Sequence, residues 1–246
     1  MLWTHSDSGN APYVFATDRA GRALACLAVT GATNVDWEDI AEGPGVAGPA
    51  LYIGDFGDNN RVRTDLAVYR VPEPDVATAP IYPAVGSTPS ADRIPFSYPD
   101  GAHYDAETLL VNPVTGVAFV GTKETSGASR VFQFPGPLQT LPKGVPVTLT
   151  QVAAVQFTGL LSFDRTATSG DLSADGTTVV IRTYTAVHEW PINPGQSVPA
   201  ALSSNLRQSY ALPLTQGEGI CYRPDGKTCL ITAEATSCPL GELRIR

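Results

Sequence analysis

One compound unit, written four times along the chain, restricts the possible folds more than any other feature. It opens with acidic residues in a short apolar run, passes a turn, and enters a second apolar strand that ends in charged or polar residues. The unit reads DWEDIA (36–41) then ALYIGDFGDNNR (50–61), and DAETLLVNPVTG (105–116) then VAFVGTKE (117–124). It returns as GDLSADG (170–176) then TVVIRTY (178–184), and as QGEGICYRPDG (216–226) then TCLITAEA (228–235). Third strands follow at 66–74, 129–135, 186–192 and 241–246, and fourth strands at 93–99, 148–157 and 208–214. Apolar and polar residues alternate in these runs, the period of a half-buried strand, and no stretch carries a helical stripe. Four-stranded meanders in tandem predict an all-β chain folded as a β-propeller.

The N-terminal segment fits the same frame displaced by one strand. LWTHSDSG (2–9), YVFATD (13–18) and ALACLAV (23–29) read as second, third and fourth strands, which makes five blades in one domain over 1–246, the first and last incomplete at the seam. The Pro-rich 72–92 region and the 136–169 region read as insertions in surface loops. Twenty-three Gly and 21 Pro against a single Met agree with a turn-rich β protein.

Charge narrows the partners. Twenty-four acids against 16 bases give −8, which argues against nucleic acid and against an anionic membrane surface. No apolar stretch approaches the roughly 20 residues a spanning helix needs, so membrane insertion is not expected. Met1 is followed by neither a basic nor an apolar leader region. Cys26, Cys221, Cys229 and Cys238 show no C-x-x-C spacing, which disfavours zinc. A local disulfide near the C-terminus is expected, and with it a secreted or periplasmic protein whose leader is absent from this chain. Buried, unbonded thiols are the alternative.

In an up-and-down blade the start of the innermost strand and the end of the second lie at the same face. The acid-rich features of the repeat therefore converge on one mouth. Inner-strand starts contribute Asp36, Glu38, Glu107, Asp171 and Glu218; second-strand exits contribute Asp55, Asp58, Asn59, Lys123 and Arg182. So many carboxylates repel one another unless a cation joins them, and hard oxygen donors in a flexible arrangement suit calcium. Asp36, Glu38, Asp55, Asp58, Asn59 and Asp171 are the expected ligands, the alternative for the GDFGDNN loop being Asx hydrogen bonds that cap a turn. Lys123 and Arg182 are placed to bind the anionic part of a small-molecule or polymer substrate, or else to neutralise acids such as Glu107 and Glu124.

The acid-bearing inner strands DWEDIA, DAETLL and QGEGI, with LYIGDFGDN and a P-D-G turn, resemble secreted bacterial β-propeller proteins of the phytase-like and esterase-like-phytase kind. The resemblance implies an extracytoplasmic, calcium-bearing disc that hydrolyses phosphate esters, with Glu107, Lys123, Arg182 and Glu218 as the catalytic group. Two other classes stay open. A five-bladed glycosidase would set two carboxylates about 5.5 Å or roughly 6.5–9.5 Å apart, and a non-catalytic module would use the mouth to capture a ligand or partner.

Overall fold

The computed structural model describes residues 1–204, 207–212, 216–234 and 240–245. The strands, in chain order, are β1 (Leu2–His5), β2 (Tyr13–Thr17), β3 (Ala23–Ala28), β4 (Trp37–Pro44), β5 (Pro49–Asp55), β6 (Ala67–Pro72), β7 (Val85–Ser87), β8 (Asp92–Ser97), β9 (Ala106–Val111) and β10 (Ala118–Thr122). They continue as β11 (Ala128–Gln133), β12 (Val147–Thr148), β13 (Thr150–Gln156), β14 (Ala167–Leu172), β15 (Thr178–Thr183), β16 (Ala186–Pro191), β17 (Gln208–Ala211), β18 (Gly217–Tyr222), β19 (Thr228–Ala233) and β20 (Gly241–Arg244). Two short helices, α1 (Ser162–Arg165) and α2 (Val198–Leu202), sit in connections.

These strands form five sheets in a ring, the arrangement of a five-bladed β-propeller. From the axis outward the blades run β1-β2-β3-β7, β4-β5-β6-β8-β12, β9-β10-β11-β13, β14-β15-β16-β17 and β18-β19-β20. The inner strands β4, β9, β14 and β18 pack against their neighbours around the axis, and β1 lies beside β4. Period-two burial explains the packing, since each blade turns one face to the blade before it and the other to the blade after. Tyr52, Val68 and Phe96 meet Leu109, Val120 and Phe132 between the second and third blades. Phe119, Val131 and Val155 meet Ile181 and Trp190 between the third and fourth. Val14 and Leu27 meet Trp37 and Tyr69 between the first and second, and Val180 and Val187 meet Ile220 and Ile231 between the fourth and fifth. No such cluster joins the fifth blade to the first among the described residues.

The tight turns follow their sequence signals. Asp175 accepts from Ser173 Oγ and from the Thr177 backbone N–H, Asp225 from the Lys227 and Thr228 N–H groups, and Asn112 from those of Val114 and Thr115. Each is an Asx-type turn that closes an inner hairpin.

Two expectations need correction. The insertions are not loops alone: β7, from the 72–92 region, pairs in parallel with β3, and β12, from the 136–169 region, pairs in parallel with β8. The first sheet therefore has four strands, with β3 third from the axis and β7 outermost. Cys26, Cys221 and Cys229 are unbonded thiols. Cys238, the remaining cysteine of the expected disulfide, lies outside the described residues, as do Pro213 and Leu214 of the expected fourth strand at 208–214.

Candidate metal centre

Four of the five inner strands begin with the same irregularity. The ladder slips between Trp37 and Asp39, between Ala106 and Thr108, between Ala167 and Ser169, and between Gly217 and Ile220. The extra residue is Glu38, Glu107 and Thr168 in turn, with Glu218 at the matching place in the last blade. A bulge re-aims the side chain it carries, and here it delivers three glutamates and a threonine to one end of the axis. The three glutamates line a cavity of about 800 Å3 shared with Asp36, Asn59, Lys123 and Tyr184, while Thr168 stays buried and donates to the Gly217 carbonyl.

At the floor of that mouth Glu38 and Glu107 meet the buried Asp105; each of the three offers a carboxylate oxygen, and these atoms all lie within 4.8 Å of one another. Asp105 and Glu107 are buried and Glu38 is half-buried. One base answers them: Lys123 Nζ donates to Glu107 Oε1 in a close ion pair and stands 5.9 Å from the centre of the Tyr184 ring. Asp105 Oδ1 accepts the Asp58 backbone N–H at 2.9 Å. The Glu38 carboxylate has neither a hydrogen bond nor an ion pair among the described residues.

Burial, and then the charges of Glu107 and Asp36, hold Glu38 far above the usual carboxylate range. Burial also raises Glu107 and Asp105, with Lys123 pulling both back down, and burial next to Glu107 pushes Glu218 up to about 8. For Lys123, burial works against the charge, but Glu107 beside it more than offsets this and keeps the ammonium protonated. Acids raised together by burial and mutual repulsion are the signature of a site short of positive charge.

The GDFGDNN loop serves this mouth indirectly. A Cβ at Gly57 would overlap the carboxylates of Glu38 and Asp36, which lie against the loop there and would have to swing aside. Asp55, expected as a ligand, instead pairs with Arg63 at 2.9 Å and accepts the Asp36 N–H. Asp58, also expected as a ligand, accepts the N–H groups of Val62 and Arg63. Both are spent on the turn, which is the capping alternative. Asn59 is exposed at the rim, and Asp36 borders the triad without being one of its members.

Two further residues are not where the repeat register put them. Asp171 lies deeper along β14 than the bulge, where Thr168 takes the place of the glutamates; its carboxylate accepts the N–H groups of Leu172 and Tyr222. Arg182 is fully buried, and its Nη1 donates to the carbonyls of Gly219 and Thr232 at 2.8 and 2.7 Å. It ties the fourth blade to the fifth instead of facing a substrate. The missed residue is Asp105. Its signal was present, since Asp36-Trp37-Glu38 and Asp105-Ala106-Glu107 are the same D-x-E pattern on successive blades.

No family model matches this chain, and no curated protein does. Solved structures resemble it only distantly. A protein proposed to be a 6-phosphogluconolactonase from Bacteroides uniformis aligns over 99% of this chain and 64% of its own, at 12% identity and a TM-score of 0.46. A protein of unknown function from Desulfotomaculum acetoxidans aligns over 94% and 61%, at 15% identity and 0.43. Hydrazine synthase from Kuenenia stuttgartiensis aligns over 82% and 45%, at 13% identity and 0.43. The chain thus spans less than two thirds of each, and nothing about chemistry is carried over from them.

Proposed function

We propose that the mouth is a divalent-cation site in an extracytoplasmic propeller, with Glu38, Asp105 and Glu107 as ligands and calcium as the ion. The proximity of three carboxylates with one ammonium among them carries this reading. All donors are hard oxygens, and neither His nor Cys belongs to the triad, which favours calcium over zinc or copper. Extracellular calcium modules work at weak affinity, roughly 10⁻⁴–10⁻³ M, which suits an export compartment.

A hydrolase of phosphate esters is the catalytic extension of the same reading. A bound divalent ion supplies charge neutralisation at a phosphoryl oxygen. Lys123 adds a point charge on a flexible stem beside the triad. Glu218, still largely protonated at neutral pH, is suited to giving a proton to a leaving group. Oxygens within 4.8 Å of one another can all reach a single ion, and the separation is also close to the roughly 5–5.5 Å of a retaining glycosidase, so distance alone leaves that class open. One observation favours a non-catalytic binding module: Arg182 is engaged with backbone carbonyls, which removes one of the two bases that the phosphate reading counted on.

Calorimetric and thermal titrations with Ca²⁺ test the proposal. Calcium at 100 times its Kd adds about 2.7 kcal/mol to stability. Glu38→Gln, Asp105→Asn and Glu107→Gln should each abolish most of that increment, while Glu73→Gln should retain it. A wild-type melting temperature indifferent to both calcium and chelator overturns the cation site. Turnover of phenyl phosphate that requires calcium and falls at least tenfold in Lys123→Met and Glu218→Gln supports the hydrolase. Calcium binding without turnover supports the binding module.

A further inference from the structure

The innermost strands do not all run the same way. Strands β4, β9 and β18 carry Glu38, Glu107 and Glu218 at the mouth and, like β14, end near a second cavity of about 600 Å3, walled by Pro113, Ala174 and Pro224 at the hairpin turns. Strand β1 runs against them: Leu2 and Trp3 border the second cavity, whereas His5, at its end, borders only the mouth. Strands of a meander alternate in direction, so β1 has the direction of a second strand. Among the described residues no strand lies inward of it.

Open space takes that strand's place. Leu2, Trp3, Ile40, Cys221 and Leu230 border both cavities, so the two form one passage from face to face along the seam where no apolar cluster joins the fifth blade to the first. Backbone groups point into it. The Ser6 N–H donates to the Tyr13 carbonyl at 3.0 Å, and β1 pairs with β2 in the register Trp3↔Ala16, Thr4↔Phe15 and His5↔Val14. Bonding alternates along an antiparallel ladder, so Leu2, Thr4 and Ser6 bond towards β2 while the N–H and C=O groups of Trp3 and His5 face the passage. Among the described residues these backbone groups have no partner. Ile40 of β4 and Cys221 and Leu230 of the fifth blade supply apolar walls on either side.

We infer that the passage receives an extended segment of a partner polypeptide, which lies antiparallel to β1, starts at the mouth and completes the ring as a fifth inner strand. An unpaired strand edge between apolar walls is the receiving half of strand addition, in which main-chain bonds supply affinity and side-chain contacts supply specificity. The established inner-strand interface sets the chemistry of the occupant. All six residues of β9, Ala106–Val111, are buried between their neighbours, and a strand covered on both faces reads as a nearly continuous apolar run. The partner segment is therefore apolar on both faces. The inference stands on the seam and does not depend on an ion at the mouth.

The probe is acetyl-Gln-Thr-Leu-Leu-Val-Asn-amide, the β9 sequence from Glu107 to Asn112 with its acid made neutral so that the mouth does not repel it. Titrated calorimetrically into the full chain at pH 7.5 in saturating calcium, it should bind saturably and raise the melting temperature with concentration. Two N-methylated versions, blocked on alternate backbone nitrogens, separate edge pairing from apolar adhesion. The set facing β1 should bind at least about tenfold more weakly, and the set facing the axis should bind like the parent. Cys221→Trp, at a half-buried wall position, fills the passage and should weaken the parent peptide at least about tenfold. Sedimentation of the chain alone should give a monomer. Absence of saturable binding, equal affinity of the two N-methylated peptides, or wild-type affinity in Cys221→Trp overturns the inference. A dimer that the peptide dissociates gives the passage to a second copy of this chain and overturns the partner.

Discussion

At the scale of single residues the mouth hangs on Gly57, whose missing side chain lets Glu38 and Asp36 lie over the loop. Gly57→Ala should therefore push both carboxylates away, costing about 1–3 kcal/mol in overpacking and weakening the calcium-induced rise in melting temperature. A calcium response equal to wild type would show that the loop does not hold the acids in place. Proton linkage gives a second test. Glu38, Glu107, Glu218 and Asp171 are all raised by burial and outnumber the two groups that work against them below about pH 6.5, His5 and His188, which burial lowers; between about pH 4.5 and pH 8 the folded chain therefore holds more protons than the unfolded one. Stability in chelator should fall as pH rises through that window, and calcium should recover most of the loss. The acids that are lowered, such as Asp18, Asp175 and Asp225, act only below about pH 4 and leave this window untouched. A melting temperature that climbs from pH 5 to pH 8 in chelator would refute the assignment. The sequence made the convergence of Glu38, Glu107 and Glu218 legible because the repeat aligned them. It misplaced Asp171 because alignment by acid character ignores the bulge, which puts Thr168 in the glutamate position. Asp105 escaped notice because both acids of the D-x-E pattern were counted at Asp36 and Glu38 but only the glutamate of its repeat at Asp105-Ala106-Glu107.

At the scale of elements the second-strand exits are less uniform than the repeat suggests. Lys123 leaves β10 into the mouth, whereas Arg182 pairs in register with Ser169 and points sideways into the fifth blade, beneath Gly217. Arg182→Ala strips two buried carbonyls of a charged donor and should cost about 2–4 kcal/mol. The calcium-induced shift should survive in the variant, as followed by thermal unfolding with and without the ion. A calcium response lost together with Arg182 would return that residue to the mouth. Strand positions were legible wherever an Asn, Asp or Gly turn closed a hairpin. Strands β7 and β12 were not, because each is two or three residues long, lies in an insertion, and pairs in parallel with a partner that no local turn announces.

At the scale of the whole molecule the ring has four apolar interfaces and one open seam among the described residues. Among the described residues the apolar packing of the fifth blade is on its fourth-blade side, through the Val180, Val187, Ile220 and Ile231 cluster, with Arg182 bonded across the same interface. Hydrogen exchange should therefore release the amides of β18 and β19 well before those of β9 and β10, which have apolar neighbours on both faces. Equal protection in the two blades would mean that the seam is as firmly closed as the other interfaces. The two insertion strands affect the order in which the disc can come apart. Strand β7 belongs by chain order to the second blade but is hydrogen-bonded into the first, and β12 belongs to the third but is bonded into the second. Each is a backstitch, a backbone-bonded tie between neighbouring blades, so the loss of the first blade strips β7 of its partner and the loss of the second does the same to β12. Among the described residues the fourth and fifth carry no such thread and are held to each other by side chains instead.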